Sequence, residues 1–226
     1  AEGRRDEFDD VGSWLTWTGF HYSRAGTRLR DGGQFDTPCR VLSSKSATCA
    51  LRRSAFLQVG GFDASYYILG EETDVSYRVW LLGYEVWYVP TAVSWHAFGC
   101  STLKPKEEYY VDERIFFRGA SNYFSMLFTN CGALRLWAML PGHLLGWIAA
   151  AAGFALQGDT QRSRLVLLGL WDGAIRRLPS NWKKRRQVQS RRCVSDRDLF
   201  KSIAYAPPLT YYTNRLWRYW TTQLHG

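Results

Sequence analysis

"RRSAFLQVGGFDASYYILGEETDVSYRVWLLGYEVWYVP", residues 52–90, decides the fold class. It opens on a short helical run that Gly60-Gly61 halts. "ETDVSYRVWLLGY" then carries Val75, Val79 and Leu82 at i, i+4 and i+7, which predicts a helix closing at Gly83. "EVWYVP" reads as a strand ended by Pro90, and "AVSWH" at 92–96 as a second short one. Upstream, "SATCAL" at 46–51 is a short β-like run. The order over 46–96 is therefore β, α, α, β, β, a mixed α/β region and not a bundle or a repeat array.

The same stretch gathers Asp63, Glu71, Glu72 and Asp74 in front of a largely apolar helix. The positive end of a helix dipole stabilises acids in the first turn by about 0.3–1 kcal/mol each, so helix capping explains one or two of them. The neighbourhood points further. A Gly-Gly turn lets another molecule approach the backbone closely. His96 follows Trp95 at the end of the second strand, and histidine is both a metal ligand and a proton carrier.

Working outward, residues 1–45 are polar and Gly-rich, with "WLTWTGF" at 14–20 strand-like and "DGGQFD" at 31–36 a turn. "RRDEFDDVG" at 4–12, with Asp6, Asp9 and Asp10, reads as a solvated linker because no apolar strand leads into it. Residues 1–161 hold 15 Lys/Arg against 17 Asp/Glu, whereas 162–226 hold 14 against 3. The net charge of +9 thus belongs to the C-terminal third, which predicts an anionic partner there. Five widely spaced cysteines without a CxxC pair argue against a zinc ribbon and for reduced thiols.

From about residue 109 the chain turns helical: "DERIFFRGASNYFSMLFTN" is amphipathic. Residues 136–156, "LWAMLPGHLLGWIAAAAGFAL", have no charged residue and are long enough to span a bilayer, although Pro141, Gly142 and His143 interrupt them. Crossing, lying in the interface and burial as a core helix all remain open. A second apolar run at 165–175 suggests a helical hairpin. Eight of the seventeen residues in 176–192, "RRLPSNWKKRRQVQSRR", are Lys or Arg, as expected beside anionic lipid on a cytoplasmic face. A nucleic-acid partner is not expected, since a basic run with one interleaved Trp lacks a recognised module.

In order, Arg52-Arg53, Gly60-Gly61-Phe62-Asp63, Glu71-Glu72-x-Asp74, Arg78, Gly83-Tyr84, a strand ending at Pro90, then His96, Gly99 and Ser101 resemble the second half of the catalytic domain of family 2 glycosyltransferases. The nearest in flavour are the rhamnosyltransferase-like members of cell-envelope polysaccharide synthesis. The resemblance implies an inverting enzyme of GT-A fold that moves a sugar from a nucleotide-sugar donor to an acceptor hydroxyl. It places the base on Glu72 and an acceptor cleft around Gly60, Gly61, Phe62, Asp63, Glu71, Asp74 and Trp95. It also implies Mg²⁺ or Mn²⁺ at the departing diphosphate, with His96 in the metal shell. The family's nucleotide-binding half and its DxD ligands would precede Gly60 and are not found here.

The expected architecture is α/β: a partial GT-A-type mixed sheet over 1–108 as the acceptor-side half, then a helical, basic, membrane-associated region over 109–226. The expected partners are the nucleotide-sugar, a membrane-linked glycan acceptor, an anionic lipid surface, and a second chain or missing N-terminal half that supplies the donor site. The expected place is the cytoplasmic side of the cell membrane, peripheral or integral through 136–156. The rival reading is a non-catalytic protein, binding membrane or nucleic acid, that retains half of the fold.

Overall fold

A computed structural model describes residues 6–26, 29–96 and 114–221. The first four strands, β1 (Glu7–Phe8), β2 (Ser13–Thr16), β3 (His21–Ser23) and β4 (Leu29–Arg30), are followed by β5 (Cys39–Arg40). Helix α1 (Arg53–Gln58) and helix α2 (Glu71–Leu81) lead to β6 (Trp87–Tyr88). The rest of the described chain is α3 (Arg114–Asn130), α4 (Ala133–Leu156), α5 (Thr160–Trp171) with a π-helical turn at Asp172–Arg176, α6 (Leu178–Ser190), α7 (Asp196–Ile203), β7 (Ala204–Tyr205) and α8 (Leu209–Thr221).

The chain mixes helix and sheet, as expected, but the described strands form three small sheets. One has the order β3-β2-β7: β3 pairs antiparallel with β2 through Trp14↔Tyr22, and β7 pairs parallel through Leu15↔Ala204. The other two are the pairs β1-β4 and β5-β6. The segments 46–51 and 92–96, expected as strands, lie outside any strand. Both are largely exposed loops, and Ser94 donates to Thr48 Oγ1 at 2.8 Å and ties the two segments together.

Helix α2 forms where its pattern predicts it, and is more buried than a one-sided stripe requires. Val75, Tyr77, Val79, Trp80 and Leu81 are all buried, so core surrounds the helix. Full burial of side chains such as Val75 and Leu81 contributes roughly 1.5–3 kcal/mol each. Trp80 Nε1 also donates to the Val41 carbonyl at 3.0 Å, which locks α2 to the strand region. The helix starts on Gly70 at φ 87°, a backbone angle that a side chain would oppose.

Helices α3, α4 and α7 share this core, while α5 packs with Phe20, Ala120 and Trp147 in a second cluster. Leu15, Leu42, Tyr66, Tyr77 and Trp80 pack in one cluster with Met126, Leu127, Met139, Leu199 and Ile203. The expected boundary at 108/109 falls outside the described residues, as do Gly99 and Ser101. Helix α4 runs unbroken through Pro141. Next to it the helix lies close against the N-terminal region: a Cβ on Gly142 would lie 2.8 Å from Thr18 Cγ2, and one on Gly146 would lie 2.6 Å from the Phe20 ring. One side of α4 buries Leu136, Met139, His143, Trp147, Ala150, Ala151 and Phe154. The other side exposes Leu134, Trp137, Leu145, Ile148 and Leu156.

Cations of the 176–192 cluster mostly serve the chain's own fold. Arg176 and Arg177 both pair with the buried Asp172, and Lys184 meets Asp63 at 2.5 Å. Arg185 donates to the carbonyls of Phe128 and Cys131, and Arg191 to that of Gln58. Arg192 pairs with Asp196. Lys183 and Arg186 point outward. Among the described residues, Cys39, Cys49, Cys131 and Cys193 are free thiols.

Candidate active site

Four segments converge at the N-terminus of α2. The first is Glu71-Glu72 in its opening turn, where amide N–H groups and the helix dipole favour negative charge. The turn is docked through a hydrogen-bonded chain of hydroxyls: Ser13 to Ser43 at 2.8 Å, and Ser43 to Thr73 at 3.3 Å. The second is Asp9-Asp10, held by Lys45. Its backbone N–H donates to Asp10 Oδ2 at 2.9 Å, and its ammonium sits 2.6 Å from Asp9 Oδ1. The third is the 45–49 loop carrying Lys45 and Cys49. The fourth is 94–96, where His96 Nδ1 lies 2.8 Å from Asp9 Oδ2 and Trp95 is 69% exposed.

The reading of "RRDEFDDVG" as a solvated linker is therefore corrected. The pairing of β1 with β4, together with the Lys45 contacts, folds Asp9 and Asp10 back onto a loop some 35 residues away, a long-range arrangement that composition does not reveal.

The electrostatics follow from this packing. Burial pushes the Glu72 carboxyl up to about 7; the Glu71 charge adds to it, its hydrogen bond with Glu71 pushes the same way, and Asp10 contributes further. Asp10 is also raised, chiefly by burial against the pull of Lys45. Burial acts to raise Asp9 too, yet the hydrogen bonds from Lys45 and His96 outweigh it and hold Asp9 below the usual carboxylate range. The Cys49 thiol is raised by burial and then by the Glu72 charge, which sets it beside that carboxyl. A carboxylate raised this far is the stronger base once ionised, and it takes up a proton near neutrality.

Asp74, two residues on, has a different environment. It is buried, and its oxygens accept from Arg78 Nε at 2.9 Å and Nη2 at 2.7 Å, from Asn130 at 2.8 Å and from Tyr66 at 3.3 Å. Arg78 reaches on to the carbonyls of Val59 at 2.5 Å and Gly61 at 2.9 Å, so it fastens the Gly60-Gly61 turn to α2. Gly60, Gly61, Asp63, Asp74, Arg78, Lys184 and Arg191 line a cavity of about 320 Å³ between α1, α2 and α6. Phe62 is exposed, edge-on to Phe56 at 5.4 Å. Of the acceptor-side residues expected from sequence, Glu71 and Glu72 are thus grouped with Asp10, and Trp95 with His96 and Asp9. The Gly-Gly turn, Asp63 and Asp74 gather instead around Arg78.

Among the described residues no group of three His, Cys, Asp or Glu side chains is arranged to hold a metal. His96 is paired with Asp9, and Asp9 also serves Lys45. The described residues alone therefore do not fit the expected Mg²⁺ or Mn²⁺.

Tyr67 was not singled out from sequence. It stands 83% exposed at φ 61° just before the Glu71-Glu72 turn, with the Arg118 guanidinium 5.7 Å from its ring centroid. An exposed aromatic held in the left-handed region beside an acid pair is an uncommon placement that propensity does not forecast.

Over 129 residues, 57% of this chain, the sequence is 32% identical to the N-acetylglucosaminyl-diphospho-decaprenol L-rhamnosyltransferase of Mycobacterium tuberculosis, in both the CDC 1551 / Oshkosh and the ATCC 25618 / H37Rv strains. The chain is related to a glycosyltransferase. It covers 40% of the length of these curated relatives. No family model matches the chain, and no solved structure matches it.

Proposed function

We propose that this chain carries the acceptor-side half of an inverting, family 2 glycosyltransferase of GT-A type. Glu72 is its general base. The carrying observation is the convergence of Glu71-Glu72, Asp10 and the Trp95-His96 segment on the positive end of α2, with Glu72 buried enough to titrate near neutrality. Glu72 accepts the proton of the acceptor hydroxyl as its oxygen forms the new bond to the anomeric carbon and the bond to the nucleotide diphosphate breaks. Glu71 and Asp10 keep Glu72 basic enough for that task. Trp95 offers an aromatic face to the acceptor sugar. The donor nucleotide is held by a part of the enzyme outside this chain's described residues. His96 belongs to a metal shell only if that part contributes the other ligands.

The relative's name specifies L-rhamnosyl transfer to N-acetylglucosaminyl-diphospho-decaprenol. We carry that pair to this chain as the one to assay. A lipid-linked acceptor accords with the exposed stripe of α4. Leu134, Trp137, Leu145 and Ile148 recur every three to eight residues along it, and α4 is the described helix long and apolar enough to cross a membrane. Support for a lipid surface rests on that stripe more than on the 176–192 cations, most of which are engaged within the chain. We place the protein at the cytoplasmic face of the cell membrane.

The test is Glu72→Gln in the complete enzyme. Donor binding stays intact while transfer falls roughly 10² to 10⁴-fold, the usual worth of a general base; undiminished transfer would move the base elsewhere. For the lipid surface, Trp137→Glu is expected to reduce flotation with vesicles, and unchanged flotation would remove α4 from the contact.

A further inference from the structure

The segment that delivers Glu71-Glu72 is strained and is held from behind. Tyr67 at φ 61° and Leu69 at φ 67° both sit in the left-handed region, immediately before Gly70 at φ 87°. Side chains make this conformation costly, so two such residues in four persist only where surroundings impose it. The imposing group is Asn122 on α3, fully buried. Its Nδ2 faces three carbonyl oxygens at once: Tyr66 at 3.0 Å, Ile68 at 2.9 Å and Leu69 at 2.8 Å. An amide nitrogen carries two N–H bonds, so at least one of them is shared between acceptors.

The amide cannot be turned over. Its Oδ1 meets Arg177 Nη1 at 3.2 Å, and a guanidinium only donates. Arg177 is in turn fixed by Asp172 at 2.7 Å, and Asp172 by Ser121 at 2.6 Å and by Arg176. Asp172 opens the π-helical turn between α5 and α6. That turn packs against α3 closely enough that a Cβ on Gly173 would lie 2.7 Å from the Ser121 carbonyl. A buried charge pair is a poor source of net stability, whereas it is a good means of fixing one arrangement.

We infer that Asn122 is a positioning residue: its amide, oriented by Arg177 and Asp172, clamps the Tyr66–Leu69 backbone and thereby sets the first turn of α2 against Asp10. The part concerning turnover rests on the proposed role of Glu72; the clamp itself does not.

Two readouts keep these apart. In this chain, Asn122→Ala is expected to speed amide hydrogen exchange in 66–72 by about tenfold or more, with the buried C-terminal half of α2 unchanged. If that variant does not fold, Arg177→Lys, which retains a cation for Asp172 and withdraws the fork from the amide oxygen, is expected to speed exchange in the same segment by about threefold. Exchange unchanged in the folded variant overturns the clamp. In the complete enzyme, Asn122→Ala is expected to lower kcat by about 10- to 100-fold with both KM values retained, the cost of a misplaced reacting group. Asn122→Asp, which turns an acceptor toward three carbonyls, is expected to be worse than alanine. A loss of melting temperature with kcat per folded molecule intact would make Asn122 merely structural. Loss of transfer in Glu72→Gln without loss in Asn122→Ala overturns the positioning role alone; no loss in Glu72→Gln overturns the proposed function and leaves the exchange result standing.

Discussion

Glu72 and Asp74 stand two residues apart on the first turn of one helix and have opposite surroundings. Asp74 faces a guanidinium, an amide and a phenol that answer its charge. Glu72 faces Glu71 and Asp10, which oppose it, and Glu71 Oε2 is itself buried without a hydrogen-bond partner among the described residues. A carboxylate whose charge is satisfied holds a structure together. One whose charge is resisted is ready to take a proton. A shared sequence motif therefore contains two kinds of residue, and only the packing around α2 separates them.

Breaking the contrast on the Glu72 side gives the largest effect. Glu72→Gln costs transfer by the factors given above, and it does the reverse to stability. The folded carboxyl titrates near 7, above its ordinary 4.5, so between these values the folded chain binds more protons than the unfolded one. Stability then falls as pH rises through that window. Glutamine removes the penalty, so the variant is expected to melt above the wild type at pH 8 and level with it at pH 4.5. Wild-type transfer is expected to fall about tenfold per unit as pH drops below about 7, because only the ionised base works. A flat profile would separate Glu72 from the proton transfer.

On the Asp74 side, Asp74→Ala leaves Arg78 buried without its counter-charge. The expected cost is about 3–5 kcal/mol in denaturant unfolding. A loss below about 1 kcal/mol would mean that the Val59 and Gly61 carbonyls suffice for Arg78. Asp63→Asn gives the smallest effect, since the Asp63–Lys184 pair is partly solvated. Less than about 1 kcal/mol is expected there, and a larger loss would make the pair a structural peg like Asp74.

The elements with local causes were legible in the sequence. Gly60-Gly61, the apolar spacing of α2 and Gly83 mark their own boundaries, and α1, α2 and β6 lie where they were read. The helical character beyond residue 114 was equally clear. What escaped depends on pairings distant in sequence. Asp10 reaches Lys45 across 35 residues, and Asn122 reaches Tyr66 across 56. No periodicity encodes either. Pro141 looked like an interruption because the contacts of Thr18 and Phe20 with α4 are invisible from α4 alone. In the 176–192 cluster, charge counts did not reveal that Arg176, Arg177, Lys184, Arg185, Arg191 and Arg192 have partners within the fold. At the site, the acid pair and Trp95-His96 stood out, while Asp9, Asp10, Tyr67 and Asn122 emerged only from packing.

The pairing of β7 with β2 has a kinetic side. Leu15 meets Ala204, so one sheet joins strands from nearly opposite ends of the described chain. During synthesis β2 and β3 leave the ribosome long before their parallel neighbour exists. Until then one edge of β2 presents unsatisfied backbone groups, the kind of edge that recruits other chains. A contact of such sequence separation closes late. The pairing of β7 with β2 is therefore expected to form after the local helices have packed, closing that edge last.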